Sequence, residues 1–183
     1  MNSNVHFIAE TRDWVERVVI GLKLCPFAPA PALKGLIRYV SSDAETPEAL
    51  LEDLEKELQH LVASPPEEIE TTLLIHPRVL QDFHDFNDFL ELADELVRML
   101  ELEGEIQIAS FHPHYQFADT ESDDIGNATN RSPYPTLHLL REESIARAVD
   151  SFGDTRSIST TNLATLERLG LEGLQALRLG KPG

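Results

Sequence analysis

Short strand-like segments alternate with long amphipathic segments through the middle of this 183-residue chain, and this alternation limits its fold more than any other feature. Three segments rich in apolar and β-branched residues are predicted as strands: residues 36–40, 71–75 and 106–110. The two segments between them carry apolar side chains at helical spacing, which predicts one helix that opens at Thr46-Pro47, with Thr46 as its cap, and ends at Ser64, and another from about Asp82 to Glu103. Strands connected by helices of this length pair in parallel, so we expect a small mixed α/β sheet with a parallel strand-helix-strand-helix-strand core.

Further elements are expected around this core. Residues 7–22 are predicted to form an amphipathic helix that ends before Pro26, and residues 136–140 a fourth strand at the edge of the sheet. Helices predicted at 142–152 and 161–169 would lie on the sheet faces, with a ragged tail after about residue 170. The length suits one core, so residues 1–183 are expected to form a single α/β domain.

The order of elements from residue 36 onward also resembles a thioredoxin-like arrangement, which is the alternative fold. Its redox signature is missing, because no Cys-x-x-Cys follows the first strand and no proline directly precedes the third. This alternative therefore carries no redox function.

Composition and charge exclude several classes of partner. No apolar run approaches the ~20 residues of a membrane span, and the first ten residues lack the layout of a signal peptide. The single cysteine cannot close an intramolecular disulfide, so a cytoplasmic protein is expected. Residues 41–105 hold 19 of the 32 acidic residues and 3 of the 15 basic ones. Without a basic stripe, nucleic acid is not an expected partner.

Candidate site residues follow the ends of the predicted strands, where ligands bind in open parallel sheets. His76 follows the second strand, and His112 and His114 follow the third, where a long loop over residues 111–135 begins. An antiparallel fourth strand would return His138 to the same edge. We interpret His112 as a proton carrier and His138 as a supporting group.

A metal is the alternative use of these histidines. His112 and His114 could face one ion, with His76 or His138 as a third ligand. The spacing is loose and Pro113 favours a turn, so structural histidines are the commoner outcome and no metal or other cofactor is assigned.

The end of the long loop is interpreted as an anion-binding segment. Arg131 is flanked by Asn130 and Ser132 and constrained by two prolines, which is typical of a guanidinium prepared to hold a carboxylate or phosphate. Pairing of Arg131 with an acid of the loop, Asp119, Asp123 or Asp124, is an equal alternative. The other predicted binding residues are Arg141, Tyr115 and Tyr134.

Cys25 is the only candidate nucleophile in the chain. It follows the end of the first helix, where the helix dipole does not favour a thiolate. A buried structural role is therefore the favoured interpretation, with a role as nucleophile or as the wall of a pocket left open.

Three motifs together resemble a bacterial family of uncharacterised proteins of about this length. They are Cys-Pro-Phe at 25–27, His-Pro-x-Tyr at 112–115, and Asn-Arg-x-Pro-Tyr-Pro at 130–135, continued as Thr-Leu-His-Leu-Leu-Arg-Glu to residue 142. In this pattern position 114 is often not histidine, and some relatives have cysteine where this chain has Ala128. The resemblance covers nearly the whole chain, implies no reaction, and argues against both a general metal pair and a two-cysteine mechanism.

Two classes of function remain open from the sequence. The first is an enzyme that acts on a small anionic metabolite in a His/Arg pocket. The second is a non-catalytic binding module, which uses that pocket without turnover or docks a basic partner on the acidic helices of residues 41–105.

Overall fold

A four-stranded mixed sheet lies between two layers of helices in the computed structural model, which describes residues 3–177. The strands are β1 (Ile37–Ser41), β2 (Thr71–Ile75), β3 (Ile106–Phe111) and β4 (Thr136–Arg141). Their order across the sheet is β1-β2-β4-β3. The predicted mixed α/β class is therefore confirmed.

The position of β4 corrects the prediction that it forms an edge. β4 lies between β2 and β3 and pairs antiparallel with both, whereas β1 and β2 pair in parallel. Thus β1, β2 and β3 point the same way, as expected, but only two of them are parallel neighbours. An interior place suits β4 because Leu137 and Leu139 are fully buried. The strand pattern alone does not state which neighbours a buried strand takes.

Helices cover both faces of the sheet. They are α1 (Ser3–Trp14), which continues as a π-helix (Val15–Ile20), α2 (Pro29–Leu33), α3 (Pro47–Ala63), α4 (Phe83–Met99), α5 (Glu142–Phe152) and α6 (Ser157–Ala176). One apolar cluster joins α3 and α4 to the sheet, and a second joins α1 and α6 to the opposite face. The side chain of Thr46 caps α3 as predicted, accepting a hydrogen bond from the Ala49 amide at 3.2 Å.

Two helix ends differ from their predictions. α4 ends at Met99 rather than near residue 103, because the chain turns through a left-handed Glu101 (φ 58°) before Gly104. The predicted helix 161–169 is part of the longer α6, which bends at Gly170. The expected ragged tail is therefore helical as far as Ala176, and its remainder, 178–183, lies outside the described residues.

None of the helices within residues 3–177 is both long enough and apolar enough to cross a bilayer.

Candidate functional site

Three strand ends meet at one edge of the sheet. Thr136 opens β4 opposite Ile75 of β2 and Phe111 of β3. Main-chain bonds extend the contact beyond the strands: the His76 amide donates to the Pro135 carbonyl (3.0 Å), and the His112 amide to the Asn130 carbonyl (3.2 Å). The antiparallel return of β4 therefore brings the end of the 111–135 loop to this edge, as predicted.

A cleft of about 480 Å³ opens beside this edge. One wall is the start of α4 and the turn before it, and the other is the long loop. It is lined by Gln81, Asp82, Phe83 and His84 from the helix side, and by Pro113, His114, Gln116, Ser122 and Arg131 from the loop side. The lining is mostly polar, and the two imidazoles in it, His84 and His114, are exposed.

The loop that forms the second wall is folded on itself around buried Asn127. The Asn127 side-chain oxygen accepts hydrogen bonds from the Phe117 amide (2.9 Å) and the Thr120 hydroxyl (3.0 Å), and its amide nitrogen donates to the Glu121 carbonyl (2.8 Å). A 3₁₀ helix (Ile125–Asn130) follows. These bonds account for order in a long loop, because they satisfy backbone groups that no sheet reaches.

Arg131 lines the cleft with its charge unpaired. Its Nε donates to the Tyr115 carbonyl (3.2 Å) and its Nη2 to the Ser122 carbonyl (2.7 Å). The pairing with Asp119, Asp123 or Asp124 considered from sequence is not observed, and Arg131 forms no salt bridge with any residue in the range 3–177. Partial burial lowers the pKa of Arg131 from its ordinary value. A partly buried guanidinium without a counter-charge favours an anion beside it.

His112 supports the cleft from below and does not line it. The ring is fully buried, its Nδ1 accepts a hydrogen bond from the His114 amide (3.0 Å), and its Nε2 donates to the Leu80 carbonyl (3.1 Å). Burial lowers its pKa to about 4. Both ring nitrogens are thus bonded to the main chain, which is the pattern of a structural histidine rather than of a proton carrier.

His76, which follows β2, is bonded to the turn between β2 and α4, the turn whose Leu80 carbonyl His112 contacts. Its Nδ1 donates to the Val79 carbonyl (3.1 Å), and burial lowers its pKa to about 4. The next residue in the turn, Leu80, has a left-handed backbone (φ 57°), which is unfavourable for a branched side chain. His76 and His112 together therefore hold a strained turn that leads directly into the helix wall of the cleft.

His138 lies on the other face of the sheet. Its neighbours Leu137 and Leu139 face α3 and α4, so the alternation of the strand turns His138 toward α1 and α6, where its ring contacts Phe111 at 5.9 Å. Its Nε2 donates to the Thr71 hydroxyl (2.7 Å), which in turn donates to the Leu139 carbonyl. Burial lowers the pKa of His138 to about 4. The structure does not place it beside the cleft.

A family model described as a protein of unknown function, DUF1415, matches residues 6–176 of this chain. The chain belongs to the DUF1415 family. No curated protein and no solved structure matched it. The resemblance to an uncharacterised family is therefore confirmed, and the chemistry of this DUF1415 chain has to be argued from its own residues.

Arg141 of the DUF1415 chain lies at the opposite end of β4 from the cleft. Its Nη2 donates to the carbonyls of Leu61 (2.7 Å) and Ser64 (2.6 Å) and its Nε to the carbonyl of Ile69 (3.2 Å), where α3 ends. The structure therefore does not bring Arg141 together with Arg131. Arg141 is the last residue of β4, whereas Arg131 lies before its first residue, so the length of the strand separates them.

The other predicted binding residues hold the loop rather than line the cleft. The Asn130 side-chain amide donates to the Ser110 carbonyl (3.3 Å). The Tyr115 ring packs on Phe83 (5.2 Å between centroids). The Tyr134 hydroxyl donates to the Glu10 carboxylate, and burial together with this bond raises the pKa of Tyr134.

Cys25 is half-buried and packs against the apolar cluster beneath α1 and α6. Ala128 of the long loop belongs to the same cluster. These apolar surroundings of Cys25 are those of the structural cysteine favoured from sequence.

The part of the chain that the structure describes contains no group of three or more His, Cys, Asp or Glu side chains that could hold a metal ion. His112 and His114 do not form a ligand pair, since the Nδ1 of His112 accepts the amide of His114 and its Nε2 faces a carbonyl.

Sequence reasoning missed the helix wall of the cleft. It placed the start of α4 at Asp82, and the Asp82 carboxylate does cap this helix, but it did not connect that helix end with the histidine loop. A usable signal was present, because a helix that follows a strand end begins at the edge where ligands bind in α/β sheets. That rule predicts three further site residues: Gln81, Asp82 and His84.

Proposed function

We propose that this protein binds a small anionic molecule in the cleft between the start of α4 and the 111–135 loop, with Arg131 as the charged contact. The observation that carries the proposal is the Arg131 guanidinium, which lines the cleft, is partly buried and has only main-chain carbonyls as partners.

The donors left on Arg131 suit an oxyanion. A guanidinium has five N–H groups, and the carbonyls of Tyr115 and Ser122 take one each from Nε and Nη2. Nη1 is therefore available, with the remaining Nη2 hydrogen, for the forked contact typical of carboxylates and phosphates. Because the two carbonyls already hold the guanidinium in position, binding costs little further side-chain entropy at Arg131.

The cleft has the size and lining of a small-molecule site. A volume near 480 Å³ lies within the usual range for ligand pockets, and the Ser122 side chain in the lining can offer a further hydrogen bond. The side-chain amides of Gln81 and Gln116 already donate to the main-chain carbonyls of Pro77 and Thr120. The net charge of −17 does not oppose an anion here, since exposed charges beyond about 8–10 Å are screened at ordinary salt.

Turnover of the bound molecule would use His84 or His114 rather than His112, the proton carrier predicted from the sequence. His84 and His114 have exposed rings that line the cleft, whereas both nitrogens of His112 are bonded to the main chain. A proton-transfer role, if the protein is an enzyme, therefore belongs to His84 or His114.

The proposal is tested by replacing Arg131. A thermal-shift screen of small carboxylates and phosphate esters, run with and without chelator, selects a probe, and titration calorimetry measures its affinity. Arg131→Gln is expected to weaken binding about 10- to 100-fold, which corresponds to the loss of a charge-assisted fork. Binding in the wild type is also expected to weaken with added salt.

Arg98→Gln is the matched control, because Arg98 lies on the exposed far end of α4 and pairs only with Glu95 in the described structure. Amide exchange of residues 112–131 separates loss of charge from loosening of the loop. The proposal is wrong if Arg131→Gln leaves affinity unchanged, or if no anion binds. Function disturbed only by charge reversal on α3 and α4 supports the docking alternative instead.

A further inference from the structure

We infer that the ligand of this cleft is dipolar: its anionic group meets Arg131, and an amine or other cationic group meets Asp82 on the facing wall. The inference rests on the proposed anion site and narrows the class of molecule that the site selects. Small molecules with a separated ammonium and carboxylate, such as ω-amino acids, belong to this class.

Asp82 is the only formally negative side chain among the residues that line the cleft. One carboxylate oxygen, Oδ1, accepts the amides of His84 (2.8 Å) and Asp85 (3.2 Å) and so caps α4. Oδ2 has no hydrogen-bond partner among residues 3–177. These two amides lower the pKa of Asp82, so the exposed carboxylate is charged at neutral pH.

Asp82 and Arg131 do not neutralise each other. They stand on opposite walls, form no salt bridge within the described residues, and each is held by main-chain groups of its own wall. The cleft therefore presents one positive and one negative charge on facing walls, and Gln81, Gln116 and Ser122 also line it.

This arrangement separates two kinds of ligand. A plain anion is attracted by Arg131 and repelled by Asp82, so part of its binding free energy is lost. A molecule with an ammonium group at its other end gains at both walls. The neighbouring imidazoles of His84 and His114 can accept or donate hydrogen bonds to either kind of ligand.

The test compares matched ligands on the intact protein. ¹⁵N-labelled wild type is titrated with 4-aminobutyrate, butyrate and butylamine, and the amide shifts of Gln81, His84 and Ser122 report occupancy of each wall. We expect 4-aminobutyrate to bind about three- to fivefold more tightly than butyrate, the gain of one exposed ion pair. Butylamine is expected to bind most weakly, because it lacks a contact for Arg131.

Asp82→Asn is the decisive variant, because asparagine caps helices as well as aspartate and should leave α4 intact. It is expected to remove the preference for 4-aminobutyrate and to strengthen binding of butyrate. Thermal unfolding near that of the wild type confirms that the cap is kept; should it fall, Asp82→Ser supplies a second neutral cap.

Equal affinity of the wild type for 4-aminobutyrate and butyrate would overturn the dipolar ligand while leaving the anion site in place, provided that binding still requires Arg131. A preference that survives in the neutral Asp82 variant would overturn it as well. If none of the three ligands binds and no other anion does, the proposed function itself fails.

Discussion

The acceptors around each arginine determine whether that residue serves stability or binding. Arg141 donates to three carbonyls at the end of α3 and does not line the cleft beside α4. Arg131 has two carbonyl partners and an open side. The same residue type, at two positions ten residues apart in one sequence motif, thus has two different physical roles.

Arg141→Ala is expected to lower the free energy of unfolding by about 2–4 kcal/mol, since it leaves several partly buried carbonyls without a donor. Urea unfolding measures the loss, and ligand affinity should not change. The control is Arg147→Ala, whose exposed pair with Glu143 is worth less than ~0.5 kcal/mol. Equal effects of the two substitutions would contradict this role for Arg141.

At this scale the sequence predicted the region but not the roles. Arg131 was found because proline and polar neighbours indicate a prepared donor, and the structure places it in the cleft. Residue type and a place directly after a strand predict His112 as a proton carrier. Whether a ring nitrogen faces a ligand or a carbonyl depends on the neighbouring turn, here Leu80, which no spacing rule reveals.

At the scale of elements, the first helix shows how a local irregularity constrains the sequence. α1 widens into a π-helix over Val15–Ile20, and Gly21 follows with helical angles. The wider turn brings the Arg17 carbonyl against Gly21, so that a Cβ placed there would lie 2.2 Å from the carbonyl oxygen. π-helical turns are uncommon and occur mostly as single turns inside α-helices.

Gly21→Ala is therefore expected to destabilise the protein by at least about 2 kcal/mol, because main chain cannot move aside as a side-chain tip can. Helix propensity alone predicts the opposite sign, a gain of about 1 kcal/mol for alanine over glycine. Urea unfolding of this single variant decides between the two. A stabilised Gly21→Ala protein would contradict the close approach.

The sequence predicted elements well and their arrangement less well. β2, α3 and α5 have the predicted bounds to within about a residue, because apolar periodicity and capping residues are local properties. The interior place of β4 depends on pairing between strands that are distant along the chain. Periodicity shows that Leu137 and Leu139 are buried but not against which strand their backbone is bonded.

At the scale of the whole molecule, three neutral histidines link stability to pH. His76, His112 and His138 are bonded through their neutral forms, and burial lowers the pKa of each to about 4 from an ordinary value of 6.5. They occupy both faces of the sheet, and the folded state leaves all three unprotonated near neutral pH. Each contributes at most about 3 kcal/mol to the difference between neutral and acid conditions.

The sign follows from proton uptake. Below pH 6.5 the unfolded chain binds a proton at each of these histidines, while the folded protein does not until the pH nears 4. The contribution of these histidines to the free energy of unfolding is therefore expected to be constant above pH 7 and to fall between pH 6.5 and 4. Loss of the Asp43 and Asp82 carboxylates acts in the same direction but only at lower pH, because the pKa of each is already below its ordinary value.

Urea unfolding at pH 7.5, 6.5, 5.5 and 5.0 measures this dependence. His138→Gln isolates one histidine, because its amide can still donate to Thr71 but cannot be protonated. Between pH 6.5 and 5.0 the free energy of unfolding of the variant should therefore fall by about one third less than that of the wild type, because one of the three histidines is gone. A wild-type stability that does not change between pH 7.5 and 5.0 would show that these histidines are not held neutral by the fold.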